Sequence, residues 1–177
     1  MGNDTPGDID GGAQPVSMNP GGCFFDLGNS FVMIRGGRLD VSVLGAYQVS
    51  EAGDLANWQR HDQVVGAIGG AMELAAGAKR VIVAMEHTSD SGRPTIVNQC
   101  SLPLTARRAV STIVTSLAYI EVSPHGLVLK EVAQGVTPEQ VQEVTEPRLI
   151  IGPDLQHRRQ RSQRRRPRRS GSACKWA

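Results

Sequence analysis

The sequence predicts an α/β domain whose largely parallel sheet is flanked by helices. Three observations carry that expectation. Helix-like and strand-like segments alternate along the chain, as they do where helices connect and cover parallel strands. The strand-like segments "RLDVSVLGAYQV" and "KRVIVAME" are apolar on successive residues, the mark of strands buried on both faces. Near the C-terminal end, "TPEQVQEVT" opens with a complete helix start signal ahead of a last strand, "RLIIG".

Residues 1–20 are rich in Gly, Pro, Asp and Asn and read as irregular. In "CFFDLGNSFVMIR", Phe24, Leu27, Phe31 and Ile34 recur at helical spacing. Gly36 and Gly37 end that helix, because glycine tolerates the left-handed conformation just past a helix terminus. "RLDVSVLGAYQV" then reads as a central strand around Val41, Val43 and Leu44, and "SEAGDLANW" as a loop. "GGAMELAAGA" reads as a helix and "KRVIVAME" as a second buried strand. "LTARRAVSTIVT" reads as a further helix. "LAYIEV" and "GLVLKEV" form a hairpin turned at Ser123, Pro124, His125 and Gly126. In the last helix Thr137 is the cap, Pro138 the first position and Gln140 the reciprocal capping residue.

Charge divides the chain. Residues 157–177 hold eight arginines, one lysine and no acid, a charge of +9; residues 1–156 hold ten Lys/Arg against seventeen Asp/Glu, a charge of −7. The domain is therefore expected over residues 21–155, with a disordered Arg-rich tail over 156–177 that has too little apolar surface to offset chain entropy. Two readings of the tail stand side by side. Such a run is what a shifted reading frame in GC-rich DNA encodes, and clustered arginines also neutralise phosphates. No aromatic residue is interleaved among the arginines, which argues against single-strand nucleic-acid binding.

Several classes are disfavoured. No window of 18 uninterrupted apolar residues predicts a transmembrane helix. "MGNDTPGDIDGG" has neither the basic nor the apolar region of a secretory signal, and Pro6 stands where myristoylation wants Ser or Thr. Cys23, Cys100 and Cys174 are odd in number and widely spaced, so they read as incidental thiols of a reducing compartment. His87 has no second histidine at ligand spacing, and Ser89 and Ser91 lie in no nucleophile elbow.

The glycine-rich turn before "GGAMEL" fits neither the phosphate-loop nor the dinucleotide pattern. Its glycines would expose backbone N–H groups suited to an anion or an oxyanion, or would simply permit a tight turn. Glu86 ends a buried strand, where sheet enzymes place functional groups; Glu51, Asp54 and Glu73 are further candidate acids. For each of these carboxylates taken alone, a solvated or paired group is the better reading.

Longer motifs go further. "SFVMIRGGRLDVSVLGAYQVSEAGDLANW", "GGAMEL", "VIVAMEHT", "CSLPLT" and "GLVLKEVAQGVT" stand in the order and spacing of the 3-oxoacid CoA-transferases. Over roughly residues 11–155 the sequence resembles the B half of that family, which includes succinyl-CoA:3-ketoacid CoA-transferase. The resemblance implies the family's α/β fold and a reaction moving CoA from an acyl-CoA such as succinyl-CoA to a 3-oxo acid such as acetoacetate. A glutamate carboxylate attacks and an enzyme-bound glutamyl-CoA thioester forms, so the mechanism is ping-pong. It also implies an A-subunit partner, in a heterodimer or heterotetramer, and a cytoplasmic location. CoA thioester is the substrate; no permanently bound cofactor, metal, membrane or nucleic acid is expected.

By the same resemblance, the amide of Gly69 is an oxyanion donor and Gly70 shapes its turn. Ala67 stands where the family usually has glycine, and its methyl group would crowd a bound carboxylate. Asn57 and Glu86 join these three as substrate- or CoA-binding positions. The family nucleophile is the Glu of a Ser-Glu-Asn-Gly motif, which does not occur here; no glutamate precedes Glu51. By the family's order of motifs that glutamate is expected upstream of Met1, so no catalytic carboxylate is assigned within the chain. The expectation is a B-half chain lacking its nucleophilic segment, inactive alone. The alternative is a non-catalytic, truncated remnant whose basic tail binds nucleic acid or other anionic partners.

Overall fold

The computed structural model describes residues 21–60 and 69–158. The expected irregular residues 1–20, from Met1 onward, lie outside the described residues, as do Ala67 and residues 159–177 of the tail. Helix α1 spans Leu27–Arg35 and starts where Asp26 accepts a hydrogen bond from the Asn29 amide at 2.8 Å. It ends at Gly36, followed by Gly37 at φ +68°. Strand β1 (Val41–Leu44) follows. Three short strands make a small second sheet: β2 (Gln48–Ser50), β3 (Leu55–Ala56) and, later, β5 (Ile96–Val97). Between β3 and β5 lie α2 (Ala71–Gly77) and β4 (Arg80–Ala84). The chain continues through β6 (Val110–Val114), β7 (Ala118–Ser123), β8 (Gly126–Val132), α3 (Pro138–Glu143) and β9 (Ile150–His157).

The large sheet has the order β1-β4-β6-β7-β8-β9. Its pairs β1/β4, β4/β6 and β8/β9 are parallel, while β6/β7 and β7/β8 form an antiparallel meander. The small sheet, β3-β2-β5, is antiparallel on one side and parallel on the other. The domain is thus α/β with a mostly parallel central sheet, as its sequence predicts. The hairpin closes with Ser123 opposite Gly126, and the Ser123 hydroxyl donates to the Gly126 carbonyl at 2.7 Å. The Thr137/Gln140 capping box forms in full.

One core lies between the two sheets. Val49, Leu55 and Ile96 of the small sheet are fully buried against Ile113, Ile120, Leu127 and Leu129 of the large one, and Val141 of α3 seals the cluster. Two glycines are demanded by close approach. A Cβ on Gly77 would lie 2.5 Å from the Ile34 carbonyl oxygen, so α1 and α2 cross there only because position 77 has no side chain. Gly53, at φ +82°, turns with its Cα so near β6 that a Cβ would lie 2.8 Å from the Val110 oxygen. Across the same helix pair, Arg35 grips Glu73 with two guanidinium nitrogens, one at 2.6 Å.

Three sequence expectations are corrected. "LTARRAVSTIVT" is not a helix. The β-branched run from Val110 to Val114 forms β6, and Arg108, at φ +48°, would break a helix before it. The strand expected across "RLDVSVLGAYQV" splits at Gly45 into β1 and β2, which belong to different sheets. β1 is an edge strand rather than a central one, so Val43 is 64% exposed while polar Ser42 is buried. Finally, β9 runs past the expected boundary at 155: Gln156 and His157 pair with Glu131 and Val132. Arg158 adds contacts of 3.4 Å to Glu131 and to the Thr115 carbonyl. These residues belong to the sheet because main-chain pairing needs no apolar side chain.

Two stability tests follow from this packing. A chain ending at Asp154 melts several degrees below one ending at Arg158, read by thermal denaturation; equal melting temperatures would show that the end of β9 adds nothing. Gly77→Ala costs about 1–3 kcal/mol in chemical denaturation, the usual penalty for an overpacked contact. An unchanged midpoint would show that α1 moves aside freely.

Candidate active site

The parallel strands β1, β4 and β6 end at the same side of the large sheet, the side where open α/β sheets hold ligands. A cavity of about 820 Å³ lies there, bounded by Gly45 after β1, Glu86 after β4, the small sheet and the loop between β4 and β5. Its walls are tied together by side chains far apart in sequence. The Gln48 amide oxygen accepts from the Ser101 and Leu102 amides at 2.9 and 3.1 Å, which fixes "CSLPLT" against β2. The Asn57 amide nitrogen donates to the Gly45 carbonyl at 3.1 Å, and its oxygen accepts from Thr105 at 2.6 Å. Asp54 accepts from the Ser50 hydroxyl and the Arg108 amide, holding the "GDLANW" turn that presents Asn57.

Glu86 faces this cavity. Its carboxylate has one long contact, from the Ser116 hydroxyl at 3.4 Å. The next residue, His87, points the other way and is 2% exposed. Its ring lies 2.8 Å from the hydroxyls of both Thr115 and Thr145. The network assigns its tautomer. Thr115 Oγ1 accepts from the Leu117 and Ala118 amides, and its one proton has two acceptors in reach, His87 Nδ1 at 2.8 Å and the Ala118 carbonyl at 3.3 Å, of which the ring nitrogen is the nearer. Thr145 donates to the Val141 carbonyl at 2.7 Å, so it accepts from Nε2–H. With no carboxylate on either nitrogen, burial pushes the His87 pKa down to about 4 and the ring is neutral at pH 7. Cys100 is likewise inert: burial, then the nearby Asp54 charge, push its thiol up to about 11.

Two arginines reach the cavity. Arg60 lies over the Tyr47 ring, 5.6 Å from its centroid. Arg93 closes a tight turn in which the Ser89 amide donates to the Arg93 carbonyl at 2.8 Å and Gly92 stands at φ +76°.

Of the positions expected from sequence, Asn57 and Glu86 line this cavity. Asn57 is largely committed to holding the wall. Gly69, at φ +54°, and Gly70 precede α2 and are not among the cavity's lining residues; Gly70 packs on Phe31. Glu73 is held by Arg35, and Glu51 and Asp54 lie outside the lining. The nucleophilic glutamate expected upstream of Met1 lies outside the described residues. Sequence reasoning missed Gln48, Arg60 and Arg93. The signal that could have found Arg93 is the turn composition of "SDSGRP", which begins five residues after β4 ends at Ala84. The cavity wall thus carries three carboxylates, Glu86, Asp90 and Glu146, and two guanidinium groups, Arg60 and Arg93, so that both signs of charge share it. Among the described residues no cluster of His, Cys, Asp or Glu could hold a metal, and no helix is long and apolar enough to cross a membrane.

Comparison with known proteins adds a family. The sequence profile described as "Coenzyme A transferase" matches residues 10–144. The beta chain of a probable coenzyme A transferase of Bacillus subtilis is 47% identical over 137 residues, covering 77% of this chain and 63% of the relative. The B component of the 3-oxoadipate CoA-transferase of Acinetobacter baylyi is 43% identical, covering 84% of this chain and 69% of its own. The B component of the succinyl-CoA:3-ketoacid coenzyme A transferase of Helicobacter pylori is 44% identical, covering 78% and 67%. The chain thus spans 63–69% of the length of these curated relatives. In structure, the acyl-CoA transferase YdiF of Escherichia coli O157:H7 superposes with a TM-score of 0.72 at 19% identity, over 85% of this chain and 33% of that one. The decarboxylase AibA/AibB gives 0.59 at 18% identity, over 74% and 56%. At such identities the likeness is one of fold, and that fold serves a decarboxylase as well as transferases.

The buried ring has a pH signature. The unfolded histidine, with a pKa near 6.5, binds a proton as pH falls, while folded His87 stays neutral until about 4. Its contribution is therefore complete above about pH 6.5 and is lost between there and pH 4, by at most about 1.4 kcal/mol per pH unit. Denaturation of wild type and His87→Asn from pH 7.5 to 4.5 should show their stability difference shrinking as pH falls. A constant difference would mean that His87 takes up a proton when folded.

Proposed function

This chain belongs to the coenzyme A transferase family, and on that premise we propose that it forms the B-side wall of a transferase moving CoA between an acyl-CoA and a 3-oxo acid. Succinyl-CoA is the donor and acetoacetate or a longer 3-oxo acid the acceptor. The reading is carried by the cavity at the carboxyl ends of β1, β4 and β6, with Glu86 on its wall. Its substrate class follows the named activities of the Helicobacter and Acinetobacter relatives. Both relatives are the B components of their enzymes, which supports pairing with an A subunit.

The chemistry requires a carboxylate that carries CoA between two half-reactions. A glutamate attacks the acyl-CoA carbonyl, the thiolate leaves, and its return to the glutamyl carbonyl releases the free acid and leaves a thioester. Ser-Glu-Asn-Gly, the motif bearing that glutamate in the sequences this chain resembles, does not occur in these 177 residues. Glu86 is then a substrate-side carboxylate, not the carrier. Gly69 is assigned as an amide donor to the developing oxyanion on the motif resemblance, not on the cavity's lining, which does not include it. Its φ of +54° accounts for glycine at the position, since other residues adopt this backbone only at a cost.

The test uses the 177-residue chain with an A subunit of the family, acetoacetyl-CoA and succinate, followed by borohydride reduction and mass analysis. No transfer and no modified glutamate are expected. Turnover appears when a Ser-Glu-Asn-Gly-bearing segment is joined ahead of Met1, and Gly69→Val then lowers it about 100-fold or more in a folded protein. Transfer by the chain alone with a modified Glu86 would overturn the carrier assignment. Full activity of Gly69→Val would remove the oxyanion role.

A further inference from the structure

Arg93 is set up as a recognition group and has nothing to recognise among the described residues of its own chain. Its backbone is locked on both sides: its carbonyl accepts from the Ser89 amide at 2.8 Å, and its amide donates to the Ser89 hydroxyl at 3.1 Å. The facing residues Thr88 and Pro94 form an isolated bridge that closes the turn. The side chain, on an exposed residue, is oriented by a single bond: Nε donates to the Ser91 hydroxyl at 3.1 Å, and that hydroxyl lies 3.0 Å from Ser89. The two Nη nitrogens make no hydrogen bond to the described residues. No acid among those residues pairs with them, although Asp90, Glu86 and Glu146 share the cavity wall.

A guanidinium is costly to hold still unless it gains a partner, because a free arginine side chain keeps large rotamer entropy. Here the orienting bond is made by Nε, which leaves both Nη nitrogens to meet a planar two-oxygen anion. A carboxylate fits that edge with paired, charge-assisted bonds. The position is also suited to an acyl end. Arg93 shares one cavity with Glu86 at the carboxyl end of the sheet, yet stands on a separate loop.

We propose that Arg93 is a specificity-determining residue that binds the distal carboxylate of a dicarboxylic acyl group. The inference rests on the CoA-transferase reading and deepens it. The acyl chains the site prefers end in a second carboxylate, as succinyl and 3-oxoadipyl groups do, rather than in a methyl group. A simple carboxylate without a thioester, or an acyl-CoA without a distal acid, uses only part of the site.

The experiment compares two four-carbon thioesters that differ only at the far end. Succinyl-CoA and butyryl-CoA are titrated into the full 177-residue chain, alone and with an A subunit of the family. Wild type, Arg93→Met and Arg93→Lys are compared by equilibrium binding. Wild type should bind succinyl-CoA about ten-fold or more tightly than butyryl-CoA, the gain of a charged hydrogen-bonded pair. Arg93→Met should abolish that preference by weakening succinyl-CoA binding about ten-fold more than butyryl-CoA binding; Arg93→Lys should restore part of it, because an ammonium keeps the charge but not the fork. Equal weakening of both thioesters by Arg93→Met, or a preference that survives it, overturns the subsite while leaving the CoA reading intact. A wild type that binds neither thioester, with or without the A subunit, overturns that reading and the subsite with it.

Discussion

A buried, neutral histidine holds this site together. His87 follows Glu86 at the end of β4, and its two ring nitrogens reach Thr115 after β6 and Thr145 after α3. A polar ring out of water costs free energy unless each nitrogen is satisfied, and here both are, by hydroxyls that are themselves satisfied. The network leaves no buried side-chain polar atom without a partner among the described residues. By fixing His87 it sets the direction of the preceding residue, so Glu86 faces the cavity while its neighbour faces the core.

Around that anchor the cavity is built by ties between distant segments. Gln48 holds residues 101 and 102, Asn57 holds Gly45 and Thr105, and Asp54 holds Arg108. These bonds go mainly to backbone amides and carbonyls of loops, groups that would otherwise be left unpaired when the small sheet packs on the large one. The polar residues of "SEAGDLANW" therefore serve the wall of the site before they serve any ligand. The charged groups on the cavity wall are Glu86, Asp90, Glu146, Arg93 and Arg60, the last stacked on Tyr47.

The sequence was a good guide wherever the signal was local. Thr137, Pro138 and Gln140 act within one helical turn, and Gly37 and Gly126 answer backbone demands at their own positions. The order of the long motifs identified the family, which needs no geometry at all. The sequence misled where two local signals competed. Residues 104–115 carry helix-compatible spacing, yet β-branched residues dominate their second half and a strand slot between β4 and β7 was open. The end of β9 was missed for the opposite reason: Gln156, His157 and Arg158 look like tail by composition, but a sheet edge recruits backbone, not side chains.

The amino-acid sequence by itself determined the α/β class, most helix starts and stops, the hairpin, the charge division and membership of the family. These follow from periodicity, capping chemistry and motif order, each contained in a short window or in its succession. Only the tertiary structure decided which candidate residues share a cavity. It placed β1 at an edge, joined Glu86 to Ser116 across 30 residues and His87 to Thr145 across 58, and brought Arg93 into the same site. The physical reason is that such contacts depend on how two sheets pack over a common core, and the pairing of distant segments in that core is written in no single window of the chain.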